Sequence, residues 1–444
     1  MSSPTGGQGE HQLDGGALGC ARLLLLLRDH AAGLPDEAVI HLTALPTRPD
    51  APWTAPQLPE GLRRGPIYLD HNATTPVDPR VVEAMLPYLT THFGNPSSAH
   101  DYGRVPHAAL DTARAQIAAL IDARADEVVF MGSGSEADAT AIRGIVTAAR
   151  RSGVTRPHVI TQSTEHPAVL SACEYAERHH GAEITVLGVD QDGLVDPAEL
   201  AAAMRPETVL VSVMHANNET GVIQPIAELA RIAHDHGAMF HTDAAQSVGK
   251  IPVDVALLGV DLLTVVGHKM YAPKGIAALY VRADVDLEPL VGGGGQEHGR
   301  RAGTENVAGA VAFATAADLA RAELAAGSPA RLESLRDQLE RELEARLPGR
   351  VELNGARSPR LPQTLNVSIH GVEGHIVLES CAAVAASTGS ACHSGDYEPS
   401  PVLSAMGLSR ERGLSALRLT LGRWTTESDV ITSAEALVRA VQEN

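Results

Sequence analysis

Two periodicities alternate along most of this chain. Short apolar runs ending in polar, glycine-bearing loops occur at 158–169 (HVITQSTEHPAV), 184–190 (ITVLGVD), 208–221 (TVLVSVMHANNETG), 238–250 (AMFHTDAAQSVGK) and 261–281 (DLLTVVGHKMYAPKGIAALYV). Between and around them lie stretches with apolar residues every three or four positions: 81–93, 137–153, 225–237 and 331–347. The first class predicts buried strands and the second amphipathic helices. Such alternation predicts an α/β fold, with a large, mostly parallel sheet sandwiched by helices. Ligands of such sheets bind beyond the carboxyl ends of the strands, so the polar tails are expected to converge on one site. After about residue 320 a long charged helix pattern precedes TLNVSI (364–369) and LRLTLG (417–422), which predicts a second, smaller α/β domain.

The N-terminal region has a different texture. Residues 1–11 are polar and rich in Gly and Ser, and are expected to be disordered. Residues 12–45 combine a helix-like run, Cys20 followed by five leucines (Leu23 to Leu27), with a possible strand. Residues 46–64 carry five prolines and read as a linker. The leucine run lacks a basic segment ahead of it, as a signal peptide requires, and falls far short of the roughly 20 apolar residues of a membrane span.

Charge and cysteine usage narrow the function classes. The 444 residues carry a net charge of −19, which argues against nucleic-acid binding and against docking on an anionic membrane. Four cysteines (Cys20, Cys173, Cys381, Cys392) form neither a disulfide framework nor a zinc pattern. A reducing cytoplasm is expected, in which a special cysteine is catalytic rather than structural.

Three features of the strand tails belong to one chemistry. GSGSEADA (132–139), with Gly134 and Ser135, joins the strand-like EVVFM to a helix and offers N–H groups to a phosphate. Asp243 ends a later strand, and Lys269 ends another. A phosphate nest, a carboxylate for a pyridine nitrogen and a lysine for an aldehyde are what pyridoxal 5'-phosphate requires.

Residues from about 66 to 440 closely resemble the fold-type I enzymes of aminotransferase class V, specifically the NifS/IscS-like cysteine desulfurases and the related selenocysteine lyases. The resemblance rests on collinear motifs: YLDHNATTPVDP, FGNPSS, GSGSEAD, TEHPAV, HANNETGVIQPI, HTDAAQSVGK, GHKMYAPKGIAALYV, GGGGQEHGRRAGTENVAG, GSACHSGDYEPSPVLSAMGL and LRLTLGRWTTESD. It implies that Lys269 binds the cofactor and moves the substrate α-proton. Asp243 would face the pyridine nitrogen, His166 would stack on the ring and aid proton transfer, and Asn218 and Gln246 would hydrogen-bond its phenolic oxygen. Gly134, Ser135 and His268 would hold the phosphate, joined by Thr304 of a neighbouring subunit, which implies a homodimer. Arg418 would grip the substrate carboxylate, with Asn218 beside it.

Cys392 is the residue that separates desulfurases from transaminases. The resemblance implies that its thiolate attacks the sulfur of L-cysteine and keeps it as a persulfide, with L-alanine released. The sulfur would pass to acceptor proteins for iron–sulfur cluster or thio-cofactor assembly. Selenocysteine lyase and another class V lyase are the alternatives. The glycines and prolines around Cys392 predict a loop with movable flanks, whereas Cys173 and Cys381 read as buried small apolar residues. The implied division is 65–79 as the N-terminal part of the small domain, 80–320 as the large cofactor domain and 321–444 as the small domain with the cysteine loop. Two positions depart from the family pattern: Val266 replaces a serine and Ala139 an asparagine, and both are expected to affect cofactor affinity rather than chemistry. Residues 12–45 resemble the first half of the small TusA-like sulfur-carrier fold, with Cys20 at a helix start.

Overall fold

The computed structural model describes residues 56–357, 359–389, 391–393 and 396–444. The readings of residues 1–11, of the Cys20 segment at 12–45 and of the linker as far as residue 55 therefore lie outside the described residues.

The chain enters through the two-residue strand β1 (Ile67–Tyr68) and helices α1 (Pro79–Thr90) and α2 (Asp101–Leu120). There follow β2 (Val128–Met131), α3 (Gly134–Arg151), β3 (His158–Gln162), α4 (Pro167–His180), β4 (Glu183–Leu187), β5 (Thr208–Ser212), α5 (Ile226–Asp235), β6 (Met239–Asp243), β7 (Leu262–Val266) and β8 (Ala277–Val281). These seven longer strands form one sheet in the order β2-β8-β7-β6-β5-β3-β4. Only β8 runs antiparallel to its neighbours, β2 and β7. The sheet is thus mostly parallel, as expected. The segment 261–281 is two antiparallel strands with Lys269 in the turn between them.

Strand periodicity of two sends alternate residues to opposite faces. Val128 and Phe130 of β2 join one apolar core, together with Leu263 and Val265 of β7. Val129 and Met131 join a second core on the other face, with Leu262 and Leu279. Helices cover both faces, so these strands are continuous apolar runs rather than alternating ones.

Helix α6 (Val307–Ala325) went unread in the periodicity because it is alanine-rich and buried on most sides, so it carries no polar stripe. The expected boundary between residues 320 and 321 falls inside it. Its apolar residues stay in the large core through Ala320, with Leu324 packed against it, and the chain turns at Gly327 (φ 78°). Then come α7 (Ser328–Arg346), β9 (Val351–Leu353), β10 (Thr364–Ile369), β11 (Val384–Ala385), β12 (Ala391–His393), β13 (Asp396–Glu398), β14 (Ala416–Thr420) and α8 (Glu427–Glu443).

Strands β14-β10-β9 form an antiparallel sheet. It builds a third core from Leu339, Leu343, Val367, Leu417, Leu419, Val430 and Leu437, which Leu69 also enters. Strand β1 pairs in parallel with β11. The N-terminal strand is thereby tied to residues more than 300 positions away in sequence. Among the described residues, no helix is long and apolar enough to cross a membrane.

Arg423 clamps the smaller core to the larger. Its guanidinium Nη1 donates to Asp78 Oδ2 at 2.6 Å and Nη2 to Glu323 Oε2 at 2.9 Å, and it stacks 4.1 Å from the Tyr271 ring centroid. Asp78 is fully buried and also caps α1. An Arg423→Met variant leaves that carboxylate paired with Arg80 alone. It is expected to lose about 3–5 kcal/mol of stability, read from urea unfolding.

Candidate active site

The polar strand tails meet at one edge of the large sheet. Lys269 leaves the 3-10 turn after β7, and its Nζ donates to the carbonyls of Asn72 (2.6 Å) and Ala73 (2.8 Å). Burial and the Arg418 guanidinium depress its pKa to about 8, while Asp243 and Asp70 pull the other way. A lysine in this state is readily deprotonated, which a nucleophilic amine needs.

Asn72 is the hub of the site. Its carbonyl also accepts from Gln246 Nε2 at 3.0 Å. Its side-chain amide donates to Asn218 O (3.0 Å) and to Thr364 Oγ1 (2.9 Å) of the smaller sheet. Asn218 O in turn lies 3.5 Å from Arg418 Nη1. Arg418 Nη2 pairs with Asp70 at 2.9 Å, and its buried Nε has no partner among the described residues. A buried guanidinium N–H without an acceptor is costly unless a ligand supplies one. The DHNAT stretch (70–74) lies in one of the collinear motifs, which by itself assigns no role to Asp70, Asn72, Ala73 or Thr74. An asparagine ahead of small residues is the signal that was present there.

The acidic and imidazole groups lie on the neighbouring loops. Asp243 ends β6, is buried, and accepts from Ala245 N at 2.9 Å. Burial raises its pKa, while that hydrogen bond, His166 and Lys269 oppose the rise. Two further buried carboxyls, Asp138 of α3 and Glu165, stand within its field. Burial and the Asp243 charge push both well above the usual carboxylate range. Neither was predicted, because an acid inside a helix or beside a histidine reads as solvated.

His166 caps α4, its Nδ1 accepting from Ala168 N at 3.1 Å, and burial lowers its pKa. His268 is held near 4 by burial and by Lys269 and Lys274, and its Nδ1 lies 3.1 Å from Thr74 Oγ1. Both imidazoles are therefore neutral at pH 7.

Helix α3 presents the anion nest. Its first backbone bond is Ala137 N–H to Ser133 O, and Ser133 Oγ accepts from Glu136 N. The N–H groups of Gly134 and exposed Ser135 stand ahead of that ladder. A Cβ on Gly134 would come 2.7 Å from Val266 Cγ2. Val266 thus packs on the nest where the family pattern has a hydroxyl. Ala139, the other departure, packs against the core behind α3.

Cys392 is carried not by an open loop but by a two-stranded hairpin. Strands β12 and β13 are antiparallel, with Cys392 opposite Tyr397. The segment leading into the hairpin is bridged to the strand of Arg418, since Arg418 N donates to Ser387 O at 2.6 Å. Cys173 and Cys381 are free and buried, as expected. Thr304 is exposed on the segment before α6, on the same stretch as Arg301, which pairs with Glu136 at 2.8 Å.

The Aminotransferase class-V family profile matches residues 67–432. A cysteine desulfurase IscS of Dictyoglomus turgidum is 47% identical over 378 residues, covering 85% of this chain and 94% of that protein. The chain belongs to the class-V aminotransferase family, in its cysteine desulfurase branch. Solved structures agree. A NifS-like protein superposes with a TM-score of 0.78 at 31% identity, covering 85% of this desulfurase and all of that chain. A structure titled SspA in complex with cysteine gives 0.69 at 33% identity, covering 81% and 99%.

Enzymes of this family use pyridoxal 5'-phosphate, and the residues of this desulfurase fit that group. A lysine with a pKa of about 8, a buried carboxylate, neutral imidazoles and free N–H groups at a long helix start match, in turn, an aldehyde, a pyridine nitrogen, an aromatic ring and a phosphate.

Proposed function

We propose that this desulfurase converts L-cysteine to L-alanine and retains the sulfur as a persulfide on Cys392. The balance is Cys392–SH plus L-cysteine giving Cys392–S–SH plus L-alanine. One S–S bond forms, the substrate C–S bond breaks, and the substrate carbon takes a proton. Bound pyridoxal phosphate supplies an electron sink for that carbon. Lys269 would hold the cofactor and move the proton at the substrate Cα, and His166 would aid that proton transfer. Asp243 would serve the pyridine nitrogen, Gln246 and Asn218 the phenolic oxygen, and Gly134, Ser135 and His268 the phosphate. Thr304 of a second subunit completes the phosphate site in a homodimer. The persulfide then serves acceptor proteins of iron–sulfur cluster or thio-cofactor assembly, in the cytoplasm.

The observation that carries this reading is the Arg418 guanidinium, buried, with Nε unpartnered among the described residues, joined through Asn218 and Asn72 to the Lys269 amine. An α-amino acid has both groups that this pair needs: a carboxylate for Arg418 and an amino group at the cofactor. A visible spectrum before and after L-cysteine, with alanine and Cys392 persulfide measured together, tests it. Turnover of L-selenocysteine with none of L-cysteine would instead favour a lyase. Arg418→Lys loses the bidentate grip and is expected to lower kcat/KM for L-cysteine by ~10²-fold, mostly through KM.

A further inference from the structure

One buried carboxylate touches both flanks of the Cys392 hairpin. Glu219, in the HANNETG turn, is 7% exposed. Its backbone is fixed on two sides: its N–H donates to Asn217 Oδ1 at 2.8 Å, and its carbonyl accepts from Asn366 Nδ2 at 3.2 Å. The side chain is thereby aimed at the segment carrying the cysteine. On the far flank, Ser400 Oγ donates to Glu219 Oε2 at 2.5 Å. The same hydroxyl accepts from Val402 N (3.0 Å) and Leu403 N (3.3 Å), capping the short helix Pro401–Ala405. On the near flank, Gly389 has φ 73°, and a Cβ built there would collide with Glu219 Oε2. Gly389 and Ser400 stand on opposite sides of the hairpin, yet both rest on one carboxyl group.

We propose that Glu219 is a positioning residue: it holds the two ends of the Cys392 hairpin together against the floor of the site, so that the cysteine is presented to the substrate bound at Arg418. This rests on the reading of Cys392 as the persulfide residue. A purely structural join would be made more cheaply by apolar packing, since burying a carboxyl whose side-chain donor among the described residues is one hydroxyl costs free energy. Burial accordingly pushes the Glu219 carboxyl up to about 7, opposed by the Ser400 hydrogen bond and by Arg418. The field of Arg418 at Glu219 also places the hairpin anchor beside the group assigned to the substrate carboxylate. Asn218, whose carbonyl lies 3.5 Å from Arg418 Nη1, is the adjacent residue.

The test uses the full-length holoenzyme and three variants: Glu219→Leu, Ser400→Ala and the double variant. Two quantities are read: the kcat and KM for L-cysteine, and the rate at which iodoacetamide alkylates Cys392 without substrate, followed by peptide mass spectrometry. A displacement of about 1 Å at a reacting group costs ~10²-fold. Each single variant is therefore expected to lower kcat roughly 10- to 100-fold with KM within about threefold. The Cys392 alkylation rate should shift severalfold, while buried Cys173 and Cys381 stay unreactive. The double variant should be no worse than the more impaired single one, because both remove the same contact.

Wild-type kcat and alkylation in Ser400→Ala and Glu219→Leu overturn the proposal, as does a strictly additive double variant. If Glu219→Leu does not fold, Glu219→Gln with Ser400→Ala decides the matter by the same two readouts. Cys392→Ala separates this proposal from its premise. Undiminished turnover in that variant removes the persulfide reading itself. Loss of turnover there, with wild-type behaviour in the Glu219 and Ser400 variants, removes only the positioning role.

Discussion

Lys269→Ala is expected to lower desulfurase turnover by at least ~10²–10⁴-fold, the contribution of one positioned proton-transfer group, with the loss of the covalent cofactor link added to it. The variant should also lack the visible band of lysine-bound cofactor. The wild-type apoprotein offers an independent check. With the amine at a pKa of about 8, its neutral fraction grows as pH rises toward and past that value. The rate of cofactor capture should therefore climb from pH 6, reach half its maximum near pH 8 and level off about one unit higher. A rate that keeps climbing well past pH 9 would mean that burial and Arg418 do not depress the amine. The fold should survive the substitution, because Gln246 still donates to Asn72 O and Tyr271 N still donates to Thr75 Oγ1 at 2.8 Å. Unchanged thermal unfolding of the apo variant, beside lost turnover, would separate chemistry from structure.

Cys392→Ala is the second large effect. Persulfide should vanish from the protein, and alanine release should fall by roughly 10²–10⁴-fold, as for loss of one directly acting group. The spectral response to added L-cysteine should persist, because Arg418, Asn218 and Lys269 are untouched. Retained response with lost alanine places the block at sulfur removal. Loss of both would instead place Cys392 in substrate binding. Cys173→Ala supplies the contrast. Burial pushes the Cys173 thiol up to about 12, so it is not a nucleophile at pH 7. Its removal should leave turnover unchanged and cost only packing.

Much of the architecture was readable in the periodicities. The strands ending at Gln162, Ser212, Asp243 and Val266 were visible as apolar runs with polar tails, because a two-sided buried strand has nowhere to place a charge. Helix α6 was not visible, because alanine buried on most sides leaves no stripe. The cysteine hairpin has only a loop's sequence pattern: three-residue strands bounded by Gly and Pro carry too short an alternation to stand out. Lys269 and Asp243 could be paired from the linear order of a nest, an acid and a lysine. Asn72 could not, because its part in the site comes from a backbone carbonyl, which no side-chain pattern reports.

The linear chain thus specified the layered α/β class, the family and the chemical types at the site, since each depends on local periodicity or on motifs contiguous in sequence. Which groups share an environment was settled by folding. Asp70 meets Arg418, Asn72 meets Lys269 and Glu219 meets Ser400, each across well over a hundred residues. The depressed Lys269 amine, the raised Asp138, Glu165 and Glu219 carboxyls and the unpartnered Arg418 Nε exist only once water has been removed and these groups are close. Desolvation and proximity are properties of the packed molecule, and they convert ordinary residue types into reactive ones.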